Sequence, residues 1–255
     1  MANQNIEPDI YQTLPHKVTA KAADYEGGAT PRHSHPRGQL IYASTGVMRI
    51  ETDYGCWVVP PLRGVWIPPE VMHTVHMLSK VEMRTLYILP DIAGNMASSC
   101  CLVEVSPLLR SLIIALTQDQ ADYDESGRSG LIAQLALLEI KFLKTPALHL
   151  PLPKHPKLMQ ICQKLIRQPD EQVTIEFLAD DLAMSARTLA RKFKKETSLS
   201  FSQWRQQARL IEALGKLADQ QPVAKIANDL GYLSSSAFTA MFKRSLGIEP
   251  SRYFK

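Results

Sequence analysis

Residues 175–194, IEFLADDLAMSARTLARKFK, and residues 223–243, VAKIANDLGYLSSSAFTAMFK, are two copies of one pattern. Ala179, Asp181 and Leu182 match Ala227, Asp229 and Leu230 at an offset of 48. Leu189, Phe193, Lys194 and Trp204 match Phe238, Phe242, Lys243 and Tyr253 at an offset of 49. The second copy therefore carries one extra residue at its turn. Each copy reads as helix, tight turn, helix. The small Ala179 or Ala227 lets the second helix cross closely. Ala183 or Gly231 begins the turn, where glycine is the better fit. Ser185 or Ser234 can cap the second helix. Leu189 with Phe193, and Phe238 with Phe242, anchor one side of it. The other side carries Arg187, Thr188, Arg191, Lys192, Lys194 and Lys195 in the first copy. In the second it carries Ser235, Ser236, Thr239, Lys243 and Arg244.

A helix fits the major groove of B-DNA, so such a face can reach base edges. Arginine suits guanine, Ser and Thr touch either base type or phosphate, and lysines near a helix end neutralise phosphate. A basic repeat with solvated charges is the bland alternative. Two copies joined by a continuous helix, Phe201 to Leu217, favour DNA. The pattern predicts helices over 156–168, 174–181, 185–196, 200–218, 222–230, 234–246 and 250–254.

Residues 156–254 resemble the AraC/XylS family of bacterial transcription regulators. The first motif carries the likeness, with Ser200-Phe201-Ser202-Gln203-Trp204-Arg205 and Ile226-Ala227-Asn228-Asp229-Leu230-Gly231-Tyr232. It continues through Ala237-Phe238 to Gly247-Ile248-Glu249-Pro250 and Tyr253. The resemblance implies two helix-turn-helix motifs, about 175–196 and 223–246, entering successive major grooves of an operator. Ser198 and Ala183 stand where the family usually has glycine. The end of the first recognition helix is therefore expected to use another cap.

Residues 18 to about 90 read as short strands rich in β-branched and aromatic residues, which implies a sandwich or barrel. His33-Ser34-His35 precedes Gln39 and Gly46, and Pro68 and Glu70 precede His73. This resembles the two cupin motifs, with Gln39 in place of the carboxylate and Glu70 in place of a glycine. Histidines two apart share one face of a strand, and His73 can join them from a neighbouring strand. Three imidazoles and one oxygen make a divalent transition-metal site, although glutamine is a poorer ligand than glutamate. Three readings stay open for His33, His35, Gln39 and His73: a metal-dependent enzyme, a metal-bearing sensor, or a pocket whose histidines bind an organic effector or serve the structure. The resemblance extends to regulators with a short N-terminal cupin, through Gln39-Leu40-Ile41-Tyr42 and Trp66-Ile67-Pro68-Pro69. It implies a domain that senses something small. His76 reads as structural, Trp57, Trp66 and Tyr42 as core, and Asp119 to Glu125 as a solvated acidic loop.

Ser106-Pro107 reads as a helix start, with Leu108, Leu109, Leu112, Ile113 and Leu116 at helical spacing. A second helix is expected from about Gly130 to Leu143. Its apolar residues exceed one stripe, which suggests a homodimer face. Pro146, Pro151, Pro153 and Pro156 then predict a stiff extended spacer that prevents helix and sheet. The expected division is a sensor domain with a helical dimerisation region at 1–145, a linker at 146–155 and a DNA-binding domain at 156–255. The fold class is thus α+β multidomain: an N-terminal cupin β-barrel and a C-terminal all-α double helix-turn-helix domain.

The charge is divided accordingly. Residues 1–150 carry 12 Lys+Arg and 15 Asp+Glu; the remainder carries 17 and 10. The basic C-terminal part calls for an anionic partner. No apolar run reaches the ~20 residues of a membrane helix. The polar Met1 to Tyr11 does not read as a signal peptide. Cys56, Cys100, Cys101 and Cys162 form no CxxC and read as reduced, buried thiols of a cytoplasmic protein. No Ser/His/Asp arrangement, P-loop or GxGxxG is present. The resulting expectation is a regulator, not an enzyme, that binds double-stranded DNA under control of a small effector or metal ion. The alternative is a metal-dependent cupin enzyme with an appended DNA-binding module.

Overall fold

The computed structural model describes residues 9–60, 63–143 and 148–254. It forms two compact units, 1–50 with 59–145, and 51–58 with 146–255.

The first unit opens with α1 (Ile10–Thr13) and is otherwise built on strands: β1 (Val18–Tyr25), β2 (Gly28–Ala29), β3 (Gly38–Thr45), β4 (Met48–Thr52), then β6 (Arg63–Ile67), β7 (His73–Met77) and β8 (Val81–Ile88), while β5 (Gly55–Val59) falls in the second unit up to Val58. After α2 (Pro90–Ala93) come β9 (Cys101–Glu104), α3 (Pro107–Gln118), α4 (Arg128–Glu139) and β10 (Lys141–Leu143). One antiparallel sheet runs β1-β8-β3-β6-β9-β10, and β4, β7 and β2 belong to a second. Among the described residues the strands make two separate sheets, with no closed ring, so the expected barrel is an open two-sheet arrangement.

Strand β3 explains the layering. Leu40 and Tyr42 face a helix-covered core with Leu86, Ile88, Val103, Leu109, Ile113 and Ala136. Gln39 and Ile41 alternate to the opposite face, and both are buried. β4 and β7 alternate buried and half-buried residues, as strands with one solvated face do. Gly38 begins β3 where the chain passes Trp66; a Cβ there would lie 2.2 Å from the indole. Trp57, Trp66 and Tyr42 are core residues, as expected.

The Ser106 hydroxyl caps α3 by accepting from the Leu109 amide, 3.1 Å. The second helix stops at Glu139, short of the expected Leu143. Lys141-Phe142-Leu143 instead pairs with Glu104-Val103-Leu102, because the edge of β9 offers ladder hydrogen bonds to an extended chain. The acidic loop is also not free in solvent. Asp122 and Glu125 approach the two ring nitrogens of His16 at 2.8 and 3.4 Å, and Tyr123 stacks on that ring.

The second unit pairs β11 (His149–Pro151) antiparallel with β5. Part of the proline-rich spacer is thus sheet, contrary to expectation. Leu148, Leu150 and Leu152 alternate into the core, and Pro151 sits at the strand's end, where a missing donor is tolerated. Pro146 lies outside the described residues. Helices follow at α5 (Pro156–Arg167), α6 (Ile175–Asp181), α7 (Ala186–Thr197), α8 (Phe201–Ala218), α9 (Val223–Asp229) and α10 (Ser235–Leu246), with a 3-10 turn at Pro250–Arg252. These match the predicted helices within a residue or two, except that the last is a 3-10 turn shorter than the predicted 250–254.

The duplication is physical. Phe193 meets Trp204 edge-on at 6.1 Å between ring centroids, and Phe242 meets Tyr253 the same way at 5.5 Å. Met184 N–H donates to the Ala179 carbonyl and Tyr232 N–H to the Ala227 carbonyl, both at 2.9 Å. Ser185 and Ser234 cap the following helices. The extra residue of the second copy is Leu233, which is fully exposed. Ser198 takes the left-handed conformation itself, φ 62°, and caps α7 as Gly247 caps α10. The first copy therefore uses the same cap with a less suited residue, not a different one.

Candidate functional site

Three histidines converge in the first unit, although not from a shared strand face. His33 forms an isolated bridge with His73 through two backbone hydrogen bonds of 3.0 and 2.8 Å. His35 lies in the turn before β3, and its carbonyl accepts from the Glu70 amide at 3.0 Å. One ring nitrogen from each of His33, His35 and His73 lies within 4.8 Å of the others. Gln39 joins them from β3, its Oε1 2.8 Å from His35 Nε2. His76 lies outside the cluster, in register with Ala29 on β2.

The hydrogen bonding fixes the tautomers. Each Nδ1 faces a backbone carbonyl: His33 that of Pro31 at 2.8 Å, His35 that of Arg37 at 2.7 Å and His73 that of Val71 at 2.9 Å. A carbonyl accepts only, so each Nδ1 carries the proton; a neutral ring then keeps its lone pair on Nε2, which at His35 requires the Gln39 amide turned with its NH2 toward that nitrogen. Burial holds His73 down to about 4 and lowers His35 as well, so both rings are neutral at pH 7. His73 Nε2 is buried with no hydrogen-bond partner among the described residues. Histidines held through Nδ1 by an acceptor, with convergent Nε2 lone pairs, are arranged as metal ligands are. Gln39 fits either state. Its amide group can donate to His35 Nε2, or its oxygen can share a cation with that nitrogen.

Arg37, which sequence reading missed, sets this turn. Its buried guanidinium donates to the carbonyls of Gln12, Leu14 and His16. An arginine between two candidate ligands is the only sequence signal of that role. A cavity of about 280 Å³ adjoins the cluster and is lined by His33, Gln39, Val75, Met83 and Tyr87. Burial raises the Tyr87 phenol well above its ordinary range, so it stays a neutral donor.

In the second unit, Leu189 and Phe193 are buried while Arg187, Arg191 and Lys194 lie exposed at i, i+4 and i+7 on α7. Thr188 and Lys195 are exposed and Lys192 is half-buried. Ser185 Oγ accepts from the Thr188 amide and donates to its hydroxyl. On α10, Ser235, Ser236 and Arg244 are exposed and Thr239 is half-buried. Lys243 is exposed but pairs with Glu249 at 3.1 Å. Sequence reading gave Arg205 and Arg209 no role. Arg205 is buried and donates to the carbonyls of Val173, Pro169 and Glu171, which ties α8 to the segment before α6. The Arg209 guanidinium lies over the Tyr232 ring, 5.5 Å from its centroid.

Among the described residues no helix is long and apolar enough to cross a membrane. Residues 15–186 match the family described as AraC-like ligand binding domain, and residues 178–255 match the helix-turn-helix domain. The chain is 38% identical over 224 residues to the HTH-type transcriptional regulator NimR of Escherichia coli K12, covering 88% of this chain and 82% of that one. It is 28% identical to the HTH-type transcriptional activator RhaR of Pectobacterium atrosepticum, covering 68% of this chain and 62% of that one. Among solved structures it is similar to ToxT of Vibrio cholerae, at 9% identity and TM-score 0.39, covering 93% and 98% of the two chains. NimR and RhaR are transcriptional regulators, which sets aside the enzyme with an appended DNA-binding module. The chain belongs to the AraC-like family of helix-turn-helix transcriptional regulators.

Proposed function

We propose that this regulator senses its signal at the histidine cluster, with one divalent transition-metal ion held by His33, His35 and His73 beside Gln39. The three Nδ1-to-carbonyl hydrogen bonds carry this reading, since they leave Nε2 of each ring as the free ligand atom, one ring nitrogen of each histidine lies within 4.8 Å of the others, and His73 Nε2 is unsatisfied among the described residues. The donor set fits a borderline metal such as zinc, iron or nickel, and excludes calcium or magnesium, which want oxygen. The adjoining cavity favours a second form of the same reading, in which a small organic effector occupies it against His33, Gln39 and Tyr87.

We place a sensor domain at 1–145, a linker at 146–155 and a DNA-binding domain at 156–255; the break between units after Thr145 supports the first boundary, although residues 51–58 group with the second unit. Operator readout falls to Arg187 and Arg191, with Thr188, Ser235, Ser236 and Thr239 touching bases or phosphate. Ser185, Lys192, Lys195, Lys243 and Arg244 add backbone contacts. Leu131, Leu135 and Leu138 lie exposed along one face of α4, and this seam joins two copies as a homodimer. The protein works in the cytoplasm, where its DNA is.

Elemental mass spectrometry of the purified chain tests the metal directly. Near-stoichiometric metal that His33→Ala/His35→Ala loses is the expected result. No metal in either protein, with no uptake of added Zn²⁺, leaves the organic effector as the signal.

A further inference from the structure

The second unit contains a cleft of about 930 Å³ between its two helix-turn-helix repeats. Arg191 and Lys194 of α7 line one wall and Arg244 of α10 the other. Gln206 and Arg209 of α8 form the floor, beside Tyr232. Arg191 and Lys194 also belong to the exposed face of α7, so the cleft and this face share two cationic side chains.

The cleft is strongly basic. Its lining includes five Lys and Arg side chains and a single carboxylate, Glu176. Arg205 is spent on backbone carbonyls. Among the described residues Arg191, Lys194 and Arg244 make no ion pair. By contrast Lys164, Lys216 and Lys243, outside the cleft, each hold a carboxylate at 2.7, 3.0 and 3.1 Å. Arg209 is fixed in place by the Tyr232 ring and by its Nε donating to the Pro169 carbonyl at 3.0 Å. A cation held in one orientation loses little freedom on meeting an anion.

Two recognition helices entering successive major grooves stand about 34 Å apart along the duplex. The DNA between them turns its minor groove, flanked by two phosphate strands, toward the protein. We infer that the cleft seats this intervening sugar-phosphate backbone, with Lys194, Arg209 and Arg244 as phosphate clamps that read no base. The inference rests on the DNA-binding reading of α7 and α10. It adds a third contact region and assigns the joining helix a direct part in binding.

The test is fluorescence anisotropy of the full chain with labelled duplexes of several unrelated sequences, between about 50 and 200 mM KCl. Arg209→Gln and Arg244→Gln should weaken every duplex by the same factor. Each should also reduce the magnitude of the log K against log [KCl] slope by about 0.9. Arg187→Ala, on the reading face, should instead weaken the operator far more than other duplexes. Lys194 is exposed and makes no ion pair among the described residues, so Lys194→Gln remains informative should Arg209→Gln misfold. Wild-type binding with an unchanged slope in Lys194→Gln overturns the clamp while leaving the DNA-binding reading, with Arg244 among its backbone contacts, intact. A wild-type chain that binds no duplex overturns both.

Discussion

Ala183 and Gly231 hold the same left-handed turn in the two repeats, at φ 51° and 72°. The backbone hydrogen bonds around them are also the same. Only glycine takes this conformation without a steric cost, and an L-residue pays about 1–2 kcal/mol. Ala183→Gly should therefore stabilise the second unit by up to about 1 kcal/mol, read from the urea midpoint. The reciprocal Gly231→Ala should destabilise it, since its new Cβ would also lie 3.2 Å from Asp170 Cα.

Acid should weaken the fold through His149. Burial holds this ring down to about 4, its Nε2 has no hydrogen-bond partner among the described residues, and it stacks on Trp57 at 4.5 Å. The unfolded chain protonates it near the ordinary 6.5, so between about 6.5 and 4 the unfolded state binds more protons. The stability contribution is thus complete above 6.5 and is lost as pH falls toward 4. His149→Phe keeps the stack and removes the proton. Its unfolding free energy should fall less than wild type's between pH 7 and 5, and an unaltered pH dependence would contradict this account.

Arg205 couples α8 to the segment before α6 through three carbonyls. Arg205→Lys keeps the charge but cannot fork to them. It should cost about 1–3 kcal/mol of stability by stranding buried acceptors. Thermal unfolding measures it, and a shift within error would show that water replaces the contacts freely.

The exposed leucines of α4 predict a self-association surface. Leu138→Glu should leave circular dichroism unchanged and move the sedimentation coefficient from dimer to monomer. A wild-type monomer at micromolar concentration would remove this surface from the account.

The helical half of the molecule was legible because its signals are local. Caps at Ser185 and Ser234, the aromatic matches and the 3.6-residue spacing are all short-range signals. The misreadings came where partners are distant. Prolines masked the two-residue alternation of Leu148, Leu150 and Leu152, and Lys141 to Leu143 became strand only because β9 had a free edge. The histidine set was readable from its spacing, but its geometry was not. His33 reaches the site by bridging His73 rather than along a strand, and the three carbonyls that fix the Nδ1 protons carry no sequence signature. Arg37 was equally hidden, since its partners are main-chain oxygens more than twenty residues away.

Occupancy of the histidine cluster is expected to govern DNA binding. The most direct test compares metal-loaded and metal-stripped full chain on a duplex selected from genomic DNA, at fixed salt. Affinity should differ between the two by at least about fivefold, the lower end of ordinary coupling between sites. His35→Ala/His73→Ala should abolish the difference while still binding the duplex. Stoichiometric metal with identical affinities in both states would contradict this coupling.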